Sequence, residues 1–215
     1  HLQKVIMKTQ QNEIIEKALR KNVPMYPEIA VREIVANALI HQDFFISGSG
    51  PMIEIFSDRM EITNPGIPLV QTDRFLDTPP KSRNDDLAGF MRRVGVCEER
   101  GSGIDKVVFQ SELYQLPAPC FEIAGENTRI ILFAYRPYSE MDRKEKVRAT
   151  YLHACLRYVQ RDYLTNTSLR ERFKIEKENS AIISRVIKDA IEDKAIKPVD
   201  VENLSRKHTK YWPIW

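Results

Sequence analysis

Three short groups of residues in this sequence have types and spacings that chemistry can use. Glu33 and Asn37 stand four apart, so on a helix both project from one face. A carboxylate beside an amide can orient a water molecule and coordinate Mg²⁺ through oxygen. Asn64-Pro65-Gly66 marks a sharp backbone turn after a strand-like run. Gly101-Ser102-Gly103 opens a helical pattern, where free N–H groups and the positive dipole end attract phosphate. Each group also has a plain structural reading. Glu33 can pair with a neighbouring arginine, Asn37 can bond a loop, and the glycines can simply break and start helices. His41 and Asp43 supply two metal-type ligands, too few for a site.

The elements that must position these residues follow from periodicity. Apolar spacing predicts a helix over residues 12–21, carrying Ile14, Ile15, Ala18 and Leu19 on one stripe. A second helix follows Pro27, a residue suited to a helix start, and runs to His41. Strands are expected over 52–56 and 60–63, joined at Ser57-Asp58-Arg59 as a hairpin. A long Pro-containing stretch over 67–82 exceeds an ordinary connection and reads as a lid or binding loop. Its cations, with those just beyond it (Arg74, Lys81, Arg83, Arg92, Arg93), suit either a triphosphate or a solvated face. A helix over 85–94, a second starting at 101–103, and strands over 120–124 and 129–135 complete an α+β sandwich.

Beyond a polar link at 136–140, three helical stretches (147–161, 167–173, 181–191) precede a strand at 195–199, a winged-helix pattern. Thr167 or Ser168 can cap the middle helix, with Glu171 completing a capping box. Ser184, Arg185 and Lys188 fall on the exposed side of the last helix, where major-groove contacts would arise. Lys197, Arg206 and Lys207 add cations for DNA phosphates in the wing, although a docking or dimerisation module reads the same way. From Asp142 onward the chain holds 17 basic and 11 acidic residues, against 16 and 19 before it. That asymmetry favours a nucleic-acid partner for the basic half. The three scattered cysteines form neither a disulfide framework nor a CxxC site, which suits a reducing cytoplasm. No apolar run reaches the roughly 18 residues of a membrane span. The chain starts at His1 without a Met, so an upstream domain is expected.

The run from Arg32-Glu33-Ile34-Val35-Ala36-Asn37 to His41-Gln42-Asp43 resembles the REAxxNAxxHRDY segment of RecG-related bacterial proteins of the Schlafen/AlbA type. Those proteins are described as ATP-dependent helicases or transcriptional regulators. Their NPGG after a hairpin is matched by Asn64-Pro65-Gly66-Ile67, and a later motif by Arg83-Asn84 through Gly101-Ser102-Gly103-Ile104. The C-terminal stretch resembles the domain with which the same family often ends. The family is similar to a divergent form of the ATPase fold shared by gyrase, histidine kinases and mismatch-repair ATPases. A Walker A motif is absent.

This resemblance implies Glu33 as general base, Asn37 as Mg²⁺ ligand, Asn64 and Gly66 in the adenine-reading loop, and Gly101, Ser102 and Gly103 on the phosphate side. ATP and Mg²⁺ are the implied cofactors. Two features depart from the pattern: Asn64 stands where an Asp is usual, and the second glycine of DxGxG is missing. An amide for a carboxylate costs about 1–2 kcal/mol of hydrogen bonding, about tenfold in affinity. The expectation is therefore a transcriptional regulator or DNA-transaction factor, with a degenerate nucleotide-binding, weakly active or inactive ATPase-like domain over 1–138 and a DNA-binding winged helix over 139–215. Duplex DNA and a second copy of the chain are the expected partners. The alternatives are an active Mg²⁺-dependent ATPase and a non-catalytic oligomerisation scaffold.

Overall fold

Residues 11–24 pair as an antiparallel hairpin, β1 (Gln11–Glu16) with β2 (Leu19–Pro24), in register from Gln11↔Pro24 to Glu16↔Leu19. The helix expected over 12–21 is therefore replaced. Its apolar residues satisfy the helical period, but adjacent β-branched Ile14 and Ile15 favour extended backbone, and the ladder pairs the main-chain groups. The computed structural model describes residues 11–16, 19–79, 81–97, 103–199 and 209–215, without the side chains of 11–24. Gly101, Ser102, Arg206 and Lys207 lie outside the described residues.

The helix after Pro27 forms as expected: α1 (Glu28–His41) starts directly behind the proline. The strands β3 (Met52–Ile55) and β4 (Arg59–Pro65) form the predicted hairpin, and β4 runs two residues further, into Asn64-Pro65. Helices α2 (Asp85–Arg93) and α3 (Gly103–Leu113) come next, then the hairpin of β5 (Cys120–Ala124) and β6 (Asn127–Phe133). The sheet is antiparallel throughout, in the order β3-β4-β6-β5.

Burial along β6 alternates residue by residue: Thr128, Ile130 and Leu132 are buried, and their neighbours are half-exposed. That period of two turns one apolar face toward the helices. Ile130 and Leu132 join Met60 and Ile62 of β4 against Val31, Ile34 and Ala38 of α1 and Val107 of α3. A different side of α1, Ala36 and Ile40, meets Ala88 and Met91 of α2. With two sides of α1 taken up by packing, Glu33 and Asn37 remain on a third. The alanines at 30, 36 and 38 let the neighbouring elements come close.

The C-terminal part holds α4 (Arg143–Val159), α5 (Asn166–Arg172), α6 (Ser180–Glu192) and a two-stranded ladder, β7 (Ile196–Pro198) with β8 (Tyr211–Pro213). Leu164 adds a single bridge to Tyr211. A capping box at Asp142 and Glu145 starts α4. The cap of α5 is Thr165, with Ser168 as its partner, one turn earlier than the expected Thr167/Ser168 with Glu171. Thr165 wins because its extended backbone lets the hydroxyl accept from the Ser168 N–H at 3.0 Å while Ser168 Oγ accepts from the Thr165 N–H at 3.0 Å.

These helices do not stand apart from the sheet region. Leu76, Val108 and Ala118 share one core with Leu152, Cys155, Leu169 and Ile183. Helix α3 thus packs on both sides, Val107 toward the sheet and Val108 toward the C-terminal helices. Its far end carries Glu112, whose carboxylate lies 3.0 and 3.1 Å from His153 Nδ1 of α4 and 3.5 Å from the buried Arg172 Nε of α5. Arg172 also donates to the Leu116 carbonyl at 2.6 Å. Burial lowers the Arg172 pKa, and the Glu112 charge opposes that shift.

Candidate functional site

The start of α3 meets the polar side of α1. A Cβ placed on Gly103 would lie 3.1 Å from Glu33 Oε2 and 3.5 Å from Asn37 Nδ2. Glycine is what allows this approach, since any side chain would press on the carboxylate. Glu33 is only 4% exposed. Its Oε1 takes the Arg32 guanidinium at 3.3 Å, so the pairing with a neighbouring arginine is real. Its other oxygen faces the helix start. The two widely separated motifs converge.

Beside this junction opens a cleft of about 170 Å³. Asn37, Ala38 and His41 line it from α1, Asn64, Thr128 and Ile130 from the sheet, and Gly103 and Ile104 from α3. The stretch after Gly66 supplies the remaining wall, with Leu69, Val70, Phe75, Thr78, Pro79 and Lys81 among its residues. Of the sheet's lining residues, Asn64 and Thr128 sit opposite each other in the β4–β6 register. Both are buried. Asn64 donates to the Pro65 carbonyl at 3.4 Å, leaving Oδ1 as an acceptor, and Thr128 donates to the Gly66 carbonyl at 2.7 Å.

Gly66 holds φ at +106°, and a Cβ there would stand 3.0 Å from Asp43 Cβ and 3.3 Å from the Arg83 guanidinium carbon. Only glycine adopts that backbone without strain. Arg83 fills the space instead: it donates to the His41 carbonyl (3.1 Å), the Ile67 carbonyl (2.6 Å) and Asp43 Oδ2 (3.0 Å). Asn84 adds bonds to the carbonyls of Ile40 and Gln42, at 2.8 and 2.9 Å. Together they tie off the end of α1 and fix the loop after β4, satisfying carbonyls that a helix terminus leaves open. Arg83 is therefore a staple, and Arg74 is engaged with Asp77. Of the expected lid cations, Lys81 is an exposed one that lines the cleft.

Two titratable groups here are shifted. Burial, aided by the Arg83 charge, holds His41 below the ordinary imidazole range. Burial pushes Asp105, in the first turn of α3, up to about 6. Among the described residues no cluster of three or more His, Cys, Asp or Glu could hold a metal by itself. Asn37 with Glu33 is a two-oxygen set, which fits Mg²⁺ only in the mode where phosphates and water complete the shell.

Thr128 is a cleft residue that no sequence motif marks. Its signal was there, a lone hydroxyl in register with Ile130 and Leu132 on an otherwise apolar strand face. Ser184, Arg185, Lys188 and Lys197 are placed at the surface, away from the cleft-lining set. Ser184 Oγ is bonded to the Ser180 carbonyl and to Asn166, and Lys188 sits 3.6 Å from Glu192.

The stretch from just before β3 to the end of β6 has known relatives. Residues 48–132 match the family model "Putative ATP-dependent DNA helicase recG C-terminal". This stretch is a RecG-related, ATPase-like region. Helix α1, with Glu33 and Asn37, lies ahead of the matched residues. No curated protein matches the chain. Among solved structures, the DIP2311 protein from Corynebacterium diphtheriae is similar, with a TM-score of 0.57 and 22% identity. The similarity covers 89% of this chain but 39% of that one, so this chain spans well under half of its structural relative. At this identity the likeness concerns fold. No helix among the described residues is long and apolar enough to cross a membrane.

Proposed function

We propose that this chain is a nucleotide-binding regulatory module that joins an ATPase-like cleft to a DNA-contacting winged helix. The observation that carries the reading is the convergence at Gly103, where a glycine-started helix meets the buried Glu33 and the half-buried, cleft-lining Asn37. Amide hydrogens at the start of α3 suit phosphate oxygens. Also on the cleft wall, Asn64 Oδ1 suits the exocyclic amine of adenine, and Ile104, Ile130 and Phe75 offer apolar walls for the base. Asn37 would share Mg²⁺ with the phosphates, and the ion would supply charge neutralisation there. Glu33, behind the cleft-lining residues, holds its Oε2 toward the Gly103 helix start. The second oxygen's tie to Arg32 and the amide at position 64 favour binding over turnover.

The test is a titration with ATP and Mg²⁺, followed by calorimetry and thermal shift, on the wild type and Asn37→Ala. Binding raises the unfolding midpoint because ligand engages only the folded state. The wild type should respond and Asn37→Ala should respond at least tenfold more weakly; absence of any response would overturn the reading. Hydrolysis compared between wild type and Glu33→Ala separates a sensor from an enzyme. For the winged helix, exposed Arg185, Lys188 and Lys197 support a phosphate-contacting face. Affinity for duplex DNA should then fall as salt rises.

A further inference from the structure

Resting on the reading of the cleft as a ligand site, we propose that the C-terminal tail and α4 form a latch that positions the cleft's lid, with Trp215 acting on Arg74 and Tyr151 on the Asp73 carbonyl as positioning residues. Among its described residues the lid carries the 3₁₀ turn Thr72–Arg74. Tyr151 of α4 donates its hydroxyl to the Asp73 carbonyl at 2.8 Å. Next to it, the Arg74 guanidinium lies 4.7 Å from the centre of the Trp215 ring. The guanidinium cannot swing freely, because Arg74 Nε also donates to Asp77 Oδ1 at 2.7 Å. The Trp215 ring is held in turn by two tyrosines of α4, edge-on to Tyr151 at 6.3 Å and to Tyr158 at 5.6 Å.

The same segment is fastened from below. Leu76 is buried in the core shared with Leu152 and Cys155 of α4. Phe75, which lines the cleft, sits edge-on to Phe121 of β5 at 5.6 Å. Thr78, Pro79 and Lys81, the cleft-facing part, follow directly. Residues that line the cleft thus hang from an anchor built by α4 and the tail. Burial raises the Tyr151 hydroxyl pKa, so it stays a donor across the ordinary pH range. A stacked cation and a hydroxyl–carbonyl bond are both directional contacts, suited to fixing a position.

Amide exchange of the ligand-free protein tests the latch, using Trp215→Leu, the ring-preserving Trp215→Phe, and Tyr151→Phe. Exchange over residues 69–79 should rise about tenfold in Trp215→Leu and less in Tyr151→Phe. It should return toward wild type in Trp215→Phe, with β6 unchanged in all three. An unchanged lid in Trp215→Leu, or a rise spread equally over β6, would overturn the latch. ATP–Mg²⁺ dissociation from the same variants should quicken in step with lid exchange. A loosened lid with no ATP binding even in the wild type would leave the latch standing and remove the nucleotide reading. An undisturbed lid with intact ATP binding would do the reverse.

Discussion

Helix α1 and helix α6 were both expected to present functional polar residues, and the molecule treats them in opposite ways. On α1, Glu33 is buried, at 4% exposure against the start of another helix, and Asn37 is half-buried on the cleft wall. On α6, Ser184, Arg185 and Lys188 face solvent while Ile183, Val186 and Ile187 pack inward. A polar group in solvent needs no explanation, whereas a buried carboxylate that faces a glycine does. Polar residues on the two helices therefore carry unequal information, and the cleft is the better-supported site. The connection between the two regions runs through α3, which begins at Glu33 and Asn37 and ends in the Glu112–His153–Arg172 cluster.

The comparison breaks most readily at that cluster. Glu112→Ala leaves Arg172 buried without its carboxylate and should cost about 3–5 kcal/mol in urea unfolding. A loss below about 1 kcal/mol would mean that the Glu112 carboxylate contributes little to joining the two regions. At the cleft, Gly66→Ala forces a side chain into φ +106° and against Asp43, and should cost about 2–3 kcal/mol. ATP affinity should fall with it if the loop after β4 shapes the site.

Asp105 sharpens the contrast through pH. Its folded pKa of about 6 exceeds the unfolded value of 3.8, so between those values the folded state binds more protons. Stability from this group is therefore lost as pH rises through that window, and the loss is complete above it. Asp105→Asn should stabilise the protein by about 1–2 kcal/mol at pH 7.5, after discounting for solvent screening, and by almost nothing near pH 4. A gain that is constant with pH would show that burial of the charge is not the cause. The smallest effect belongs to α6. Arg185→Ala should change stability by less than about 0.5 kcal/mol. If α6 meets DNA phosphates, it should lower the salt slope of duplex binding by about 1.

Much of this was legible before the coordinates. The alternation in β6 and the apolar stripe of α6 state their own burial. The hairpin at β1–β2 was not legible, because apolar residues at 14, 15, 18 and 19 satisfy a helix and a hairpin alike, and backbone pairing decides between them. The Thr165 cap was missed because an extended Thr one residue ahead of the helix competes with two hydroxyls inside it. Within the site, the spacing of Glu33 and Asn37 shows that they share a face but not what that face meets. That depends on Val31, Ile34 and Val107 packing α1 and α3 on the same sheet. The staple role of Arg83 is the least legible in the sequence, since two of its partners are main-chain carbonyls, at His41 and Ile67, which no pattern of side chains announces.

Calorimetric titration of the full chain with ATP and Mg²⁺, set beside Gly103→Val, tests the convergence of α1 and α3 most directly. Saturable binding by the wild type and none by a variant whose side chain presses on Glu33 and Asn37 is the predicted outcome. Equal binding by both proteins, or heat from neither, would contradict it.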